Sequence, residues 1–569
     1  MQCATYCASD CWSLQNQTQF RSVWLWAIDL GNGKVQAMGS RSGSLLFIIL
    51  SGFFGCSVLS FAASDCPARP QAGTVVNNPF AISSQNGALT AKFTMAYSVD
   101  QEGYSHYCYK YDAFGQIVEA PTLRLNPGDT LNLEVLDRIQ DDDNAKKMTK
   151  MKMSSPSGKT CGDGGEATID STNVHFHGLN VPPVCHQDDV LDTLIQPGSP
   201  GFKFSIQIPT TEPPGLYWYH PHVHGFTEFQ VNGGAAGAII VEGMEKYRPE
   251  VQGLPERVFV IRQQFLVPWI PGSYDLTLNY QIVSSEGLRP IIQMQPGQKE
   301  FWRVANASLQ DFLELQVLQE NQPYNLTLVA LDGYPLKETK TVTEILIPPA
   351  GRAEFIVQAP PVGASAIFYT QAYSTGPTGN PDVATPIADI QVIPGGASHT
   401  AKAPAPAPAA TSASTPAIKF SDLAQATVTA ERKLYFSEEF GGTNGPIQFY
   451  ITVDGQKQRV FEADEKPAIT TKVGAVEDWT IENRALETHA FHIHQIHFQV
   501  LEVDGKPVTN GPLLDTIAIP YWSGPGTPYH SVKVRMDFRD PTIAGTFVFH
   551  CHILLHEDLG MMHKILVEP

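Results

Sequence analysis

"GTFVFHCHILLHEDLGMM", Gly545–Met562, runs from a glycine through an aromatic-rich stretch into a cysteine held between two histidines. It matches "GLYWYHPHVHG", Gly215–Gly225, nearly position by position: glycine, aromatic strand, His-x-His. A second pair repeats the relation, "VHFHGLNV" (Val174–Val181) with "FHIHQIHFQV" (Phe491–Val500). A weaker repeat runs the length of the chain. "LRLNPGDTLNLEVLDR" from Leu123, "IIQMQPGQKEFWRVANAS" from Ile291 and "ITTKVGAVEDWTIENRA" from Ile469 each read as strand, glycine turn and alternating strand. Their turn glycines, Gly128, Gly297 and Gly474, lie 169 and 177 residues apart. The middle copy has the strand "AIFYTQAY" from Ala366 but no histidines. The expectation is three consecutive β-sandwich domains of one type, residues 66–243, 255–395 and 420–569. The outer two carry the chemistry.

The chain has 569 residues, too many for one core, with 46 glycines and 43 prolines spread evenly. Such punctuation suits many short strands joined by turns. A net charge of −19 argues against nucleic acid or an anionic membrane surface as partner. "KAPAPAPAATSASTPA", Lys402–Ala417, reads as an extended linker within 396–419.

Leu45–Phe61 is apolar and ends in "SFAAS", where Ser60 and Ala62 place small residues for signal cleavage. Residues 38–62 therefore read as a signal peptide, with Met38 the start and 1–37 a mis-assigned extension. The expected location is exported, periplasmic or extracellular, with no stable membrane insertion after cleavage; the alternative is a signal anchor. Of the nine cysteines, Cys66, Cys108, Cys161, Cys185 and Cys551 remain in the mature chain. With Cys551 set aside an even number is left for disulfides. Cys161 and Cys185 flank the first histidine motif and are expected to pair.

Ten of the 17 histidines fall in four clusters: His175 and His177; His220 and His222; His489, His492 and His494; His550, His552 and His556. On a strand, residues two apart face the same way. Each His-x-His thus projects two imidazoles into one space, and the two outer domains can bring eight together. Cys551 points the other way, into its own domain, and His489, three before His492, also leaves the paired face. Cys551, His489 and His556 with a weak axial Met561 make the ligand set of a blue-copper site, with Met562 as rival for the axial place. His224, His497 and His563 sit off this register and read as supporting or surface groups. His186, beside Cys185, reads as either. Met148, Met151 and Met153 form a small thioether group in a Lys-rich insert, read as a solvated loop with Cu(I) capture as the alternative.

In these four motifs, HxHG, HxH, HxxHxH and HCHxxxHxxxxM, the sequence resembles the multicopper oxidases over about residues 70 to 569. The resemblance implies an all-β chain of three cupredoxin-like Greek-key sandwiches. It also implies four copper ions, one type 1, one type 2 and two type 3, that reduce dioxygen to water. By motif position it gives His175 and His492 to type 2. His177, His220, His222, His494, His550 and His552 go to type 3, and Cys551, His489, His556 and Met561 to type 1. It further implies an acid beside the cluster, Asp188 with neighbouring Asp189 as the alternative, and a second acid, Glu557, on the route to it. The partners are dioxygen and a small reducing substrate. The leading expectation is a laccase-like oxidase of phenols. Oxidation of cuprous or ferrous ions comes second, with Glu487, two before His489, as a candidate acid for Fe(II). A non-catalytic copper-binding or electron-transfer protein is the alternative of another class.

Overall fold

The computed structural model describes residues 66–101, 103–139, 161–265, 274–283, 287–394, 417–441 and 447–569. The residues read as extension (1–37) and signal peptide (38–62), Met148, Met151 and Met153, and all of the expected linker before Ala417 lie outside the described residues. No described helix is long and apolar enough to cross a membrane.

Apart from a short two-stranded sheet of Cys161–Gly162 and Thr193–Leu194, the described strands form three successive pairs of sheets. In the first pair, Ala88–Val99, Ser105–Ala113, Thr130–Asp137 and Phe202–Gln207 share one sheet, while Thr122–Leu125, His175–His177, Gly215–His220 and Gly237–Val241 share the other. The second pair is built around Glu256–Phe265, Lys299–Ala307 and Arg352–Gln358 on one side and Leu313–Gln319 and Ala366–Gln371 on the other. In the third, Ala430–Phe440, Ala475–Asn483 and His530–Phe538 face His489–Ile493, Gly545–Cys551 and Met562–Glu568.

Each pair encloses its own apolar core, carried by Phe93 and Tyr219, by Trp302 and Phe355, and by Trp479 and Phe549. Alternation along one strand explains how the first two sandwiches join. Tyr217 and Tyr219 point into the first core, whereas Leu216 and Trp218 point out, into an apolar seam with Val258, Val260, Ala305 and Ala307 of the second. Two disulfides, Cys66–Cys108 and Cys161–Cys185, fasten the first sandwich, and the second of these is the pair expected from sequence.

A buried ionic relay borders the seam. Arg124 pairs with Glu242 and Glu256, Arg303 with Glu256 and Glu354, and Glu354 accepts the Leu216 N–H at 2.9 Å. Burial alone would raise the Glu256 carboxyl; Arg303 and Arg124 outweigh it and lower it to about 2. A depressed acid stabilises the fold above its unfolded pKa and loses that contribution as pH falls through the folded value. Between about pH 4.5 and 2 the seam should lose roughly 3 kcal/mol. Urea unfolding across that window, compared with Glu256→Gln, checks this; equal pH slopes in both proteins would refute it.

Candidate metal centre

Strand pairing sets the geometry. His175–His177 runs antiparallel to Gly215–His220, with His175 opposite His220 and His177 opposite Trp218. In the third sandwich His492 lies opposite His550, and Phe491 opposite Cys551. Each His-x-His therefore turns its rings to one side, and the two outer sandwiches bring eight imidazoles face to face. His175 stacks on His494 with ring centroids 3.8 Å apart, and His177 on His492 at 4.0 Å. All eight are buried. Burial, aided for most of them by neighbouring imidazoles, holds their pKa values below the usual histidine range, at about 3 for His220 and about 4 for His550. They are thus held neutral, the form that binds a metal.

The ring nitrogens sort into inward and outward sets. His175 Nδ1 donates to Asp188 Oδ1 at 2.9 Å, His177 Nε2 to Asp515 Oδ1 at 3.2 Å, and His220 Nδ1 to the Pro221 carbonyl at 2.8 Å. His492 Nδ1 donates to the Asp515 carbonyl at 2.9 Å and His550 Nδ1 to the Cys551 carbonyl at 3.0 Å. The opposite nitrogens, His175 Nε2, His177 Nδ1, His220 Nε2 and His492 Nε2, are buried with no hydrogen-bond partner. His552 has neither ring nitrogen satisfied. The Nε2 atoms of His222 and His494 lie 3.4 and 3.2 Å from that of His550. Unpartnered buried nitrogens are costly. Three groups whose ligand atoms converge, His175 with His177 and His492, His177 with His220 and His552, and His222 with His494 and His550, fit metal ions that would satisfy them.

A fourth group sits on the other face of the Gly545–Cys551 strand. Cys551 Sγ lies 3.5 Å from His489 Nδ1 and 3.9 Å from His556 Nδ1, and the two nitrogens are 3.3 Å apart. Cys551 is the only free cysteine among the described residues, and burial pushes its thiol up. A soft cation is what would bring it to the thiolate. Met561 packs in the same core as Cys551, whereas Met562 turns to Val190, Phe461 and Val548. That separates the two rivals for the axial place.

The acids fall where chemistry needs them. Asp188, fully buried and raised to about 7 by burial, also accepts the Phe176 N–H at 2.9 Å. Asp189 accepts the Asp192 N–H instead, in the following loop. Glu557 lies 3.4 Å from His222 Nε2 and 3.2 Å from His550 Nδ1, and burial raises it well above the usual carboxylate range. Of the remaining histidines, His497 is buried and donates to the Asp332 carbonyl at 2.8 Å, His563 pairs with Glu465 and His224 packs on Phe461. His186 stacks on Phe202.

Several functional neighbours carry no sequence motif. Arg352 of the middle sandwich grips Asp515 with Nη1 at 2.7 Å and Nη2 at 2.5 Å, and Asp332 lies 3.6 Å away. Asp515 would be raised by burial, but Arg352 outweighs this and keeps it ionised. The middle sandwich thus reaches His177 and His492 through one carboxylate. Gly178 makes room for it: a Cβ there would stand 2.5 Å from Arg352 Nη2 and 2.7 Å from Asp515 Oδ2. On the outer edges of the cysteine site, Glu438 lies 3.4 Å from His489 Nε2 and Glu487 lies 3.6 Å from His556 Nε2. Glu438 hydrogen-bonds Glu487.

Three segments of the chain, 167–246, 218–392 and 441–569, match the family described as multicopper oxidase. A protein named multicopper oxidase mco from Staphylococcus haemolyticus is 24% identical over 465 residues, covering 79% of this chain and 81% of that protein. A laccase from Bacillus subtilis is 22% identical over 438 residues, covering 69% and 79%. A solved multicopper oxidase from Campylobacter jejuni, titled a metallo-oxidase, shares the fold with a TM-score of 0.63 at 21% identity, over 88% of this chain and 96% of that one.

Proposed function

The chain belongs to the multicopper oxidases, copper-dependent oxidoreductases that use dioxygen, and on that premise we propose that its electron donor is a metal ion, Fe(II), bound at Glu438 and Glu487. His489, Cys551, His556 and Met561 would hold the type 1 ion. His175 and His492 would hold type 2, and His177, His220 and His552 with His222, His494 and His550 the type 3 pair. Held there, copper would supply the one-electron chemistry that couples oxidation of the donor to reduction of dioxygen to water.

The protein's own part is to join and insulate the two places. Cys551 is covalently bonded to His550 and His552, so the backbone itself links donor side and oxygen side. Asp188 and Glu557 stand against cluster imidazoles and are the acids suited to hold protons for the water formed. Asp188 holds His175 by Nδ1, which keeps its Nε2 free.

The observation that carries the donor choice is the carboxylate pair against the outward edges of His489 and His556. Burial and the neighbouring Glu438 push Glu487 up to about 8, so two acids there cannot both be charged without a cation. Asp382 and Asp311 of the middle sandwich extend the acidic group, and Asp382 is raised by burial, Asp311 and Glu487. Oxygen ligands of this kind suit a hard divalent ion better than an aromatic ring. Phenol oxidation is the second reading, supported by relatives named laccase. Export to the periplasm or cell exterior belongs to the same proposal, supported by the two disulfides.

Oxygen uptake with Fe(II), Cu(I) and a phenol offered separately tests the donor. Glu487→Gln and Glu438→Gln are each expected to raise KM for Fe(II) by roughly ten- to a hundredfold, the worth of a charged contact. Phenol kinetics should stay within about twofold. Fe(II) uptake unchanged in both variants, or uptake with a phenol alone, would return the protein to the second reading.

A further inference from the structure

We propose that Gln495 is a positioning residue that pins Asp188 against His175 and walls the histidine cluster off from a neighbouring cavity. The cavity, about 560 Å³, opens at the junction of the first and third sandwiches. Asn180, Thr211, Lys419, Gln495, Arg539 and Asp540 are among its lining.

Gln495 occupies a backbone position that glutamine avoids. Its φ is +59°, and the Ile496 N–H donates back to the His494 carbonyl at 2.9 Å. It is therefore the apex of a γ-turn of the strained, positive-φ form. Strain of this sort persists where surrounding contacts fix it, and a functional site is where such contacts gather. The side chain supplies the contact. It is 1% exposed, and its Nε2 donates to Asp188 Oδ2 at 2.5 Å. Its Oε1 is buried without a partner, as is Asn180 Oδ1 in the same cavity wall. Both oxygens are buried acceptors that an ordered water would satisfy.

The order of groups from the cavity inward is Gln495, Asp188, His175. A glutamine here does two things that glycine, the residue suited to this backbone, cannot do. It gives Asp188 a donor from the third sandwich, and it fills the space between cavity and cluster. The sequence separation of 307 residues between Gln495 and Asp188 means that the contact also reports correct seating of the two outer sandwiches.

The inference rests on copper occupying the cluster, and not on which donor is oxidised. The test uses the copper-loaded full chain and azide, a small anion that binds the type 2 ion and alters its electron paramagnetic resonance signal. Gln495→Gly relieves the backbone and removes the wall; Gln495→Asn tolerates positive φ and keeps an amide, but falls one methylene short of Asp188. Both variants are expected to bind azide about tenfold faster than the wild-type chain, with a shifted type 2 signal before azide is added. Reduction of the blue site by its donor should not change. Wild-type azide rates and an unshifted type 2 signal in both variants would overturn the proposal. A wild-type chain that shows the blue signal but no type 2 signal would instead overturn the assignment of copper to the cluster, and this inference with it.

Discussion

Cys551→Ser is expected to abolish the intense blue absorption, to lower copper by one ion per chain, and to stop oxygen uptake with every donor. The reasons are local. The cysteine is the one thiolate at that place, and serine offers only a hard, protonated oxygen that binds copper poorly. Cys551 is in no disulfide and is fully buried, so the change leaves the chain's cross-links intact. Its size is conserved, and burying a hydroxyl in the third core costs about 1–3 kcal/mol, which a chain of three cores tolerates. The eight cluster imidazoles come from other side chains and keep their neighbours, so the variant should still take up the cluster ions and show the type 2 resonance. Copper analysis and resonance on the purified variant, with oxygen uptake alongside, decide it. Uptake that survives the change would mean that electrons reach the cluster without the cysteine.

Arg352→Met should be the most damaging substitution outside the ligands. Arg352 is fully buried and contacts Asp515 with both terminal nitrogens. Removing it strands Asp515 and Asp332 as buried carboxylates, and loss of one partner of such a pair costs roughly 3–5 kcal/mol. Asp515 also accepts from His177, so the copper affinity of that group should fall by roughly 10- to 100-fold. A double variant, Arg352→Met with Asp515→Asn, separates the two effects. Stability should largely return because the stranded charge is gone, but the copper defect should remain because the carboxylate on His177 is gone too. Denaturant midpoints and type 3 absorption measure the two independently. Restoration of both by the double variant would show that Asp515 has no role toward the cluster.

The convergence of His175, His177, His220 and His222 with His492, His494, His550 and His552 was legible in the sequence because strand alternation is a local rule that holds whatever the fold. The same rule separates Cys551 from its neighbours and gathers it with His489 and His556. Glu487 was legible by its nearness to His489. Glu438 was not: it lies on the strand Ala430–Phe440, far from any motif, and reaches His489 only because the third sandwich folds that strand across it. Arg352, Asp332 and Asp515 were equally silent, since their meaning lies in pairings that span 163 and 183 residues. Gln495 lies inside the histidine motif Phe491–Val500, but nothing in its spacing announces a positive φ or a bond to Asp188. The choice between Met561 and Met562 also needed the packing of the final strand.

The separation of the cluster's two halves has a consequence for biogenesis. His222 and His550, whose Nε2 atoms lie 3.4 Å apart, are 328 residues apart along the chain. During synthesis, at ~5–20 residues per second, the first sandwich emerges roughly a quarter of a minute to a minute ahead of the third, with its four imidazoles exposed and no partner to complete them. Metal captured at that stage would meet half a site. Correct loading therefore has to await the docking of the third sandwich on the first, which makes metal insertion a late quality check on assembly and makes slow, long-range closure its natural bottleneck.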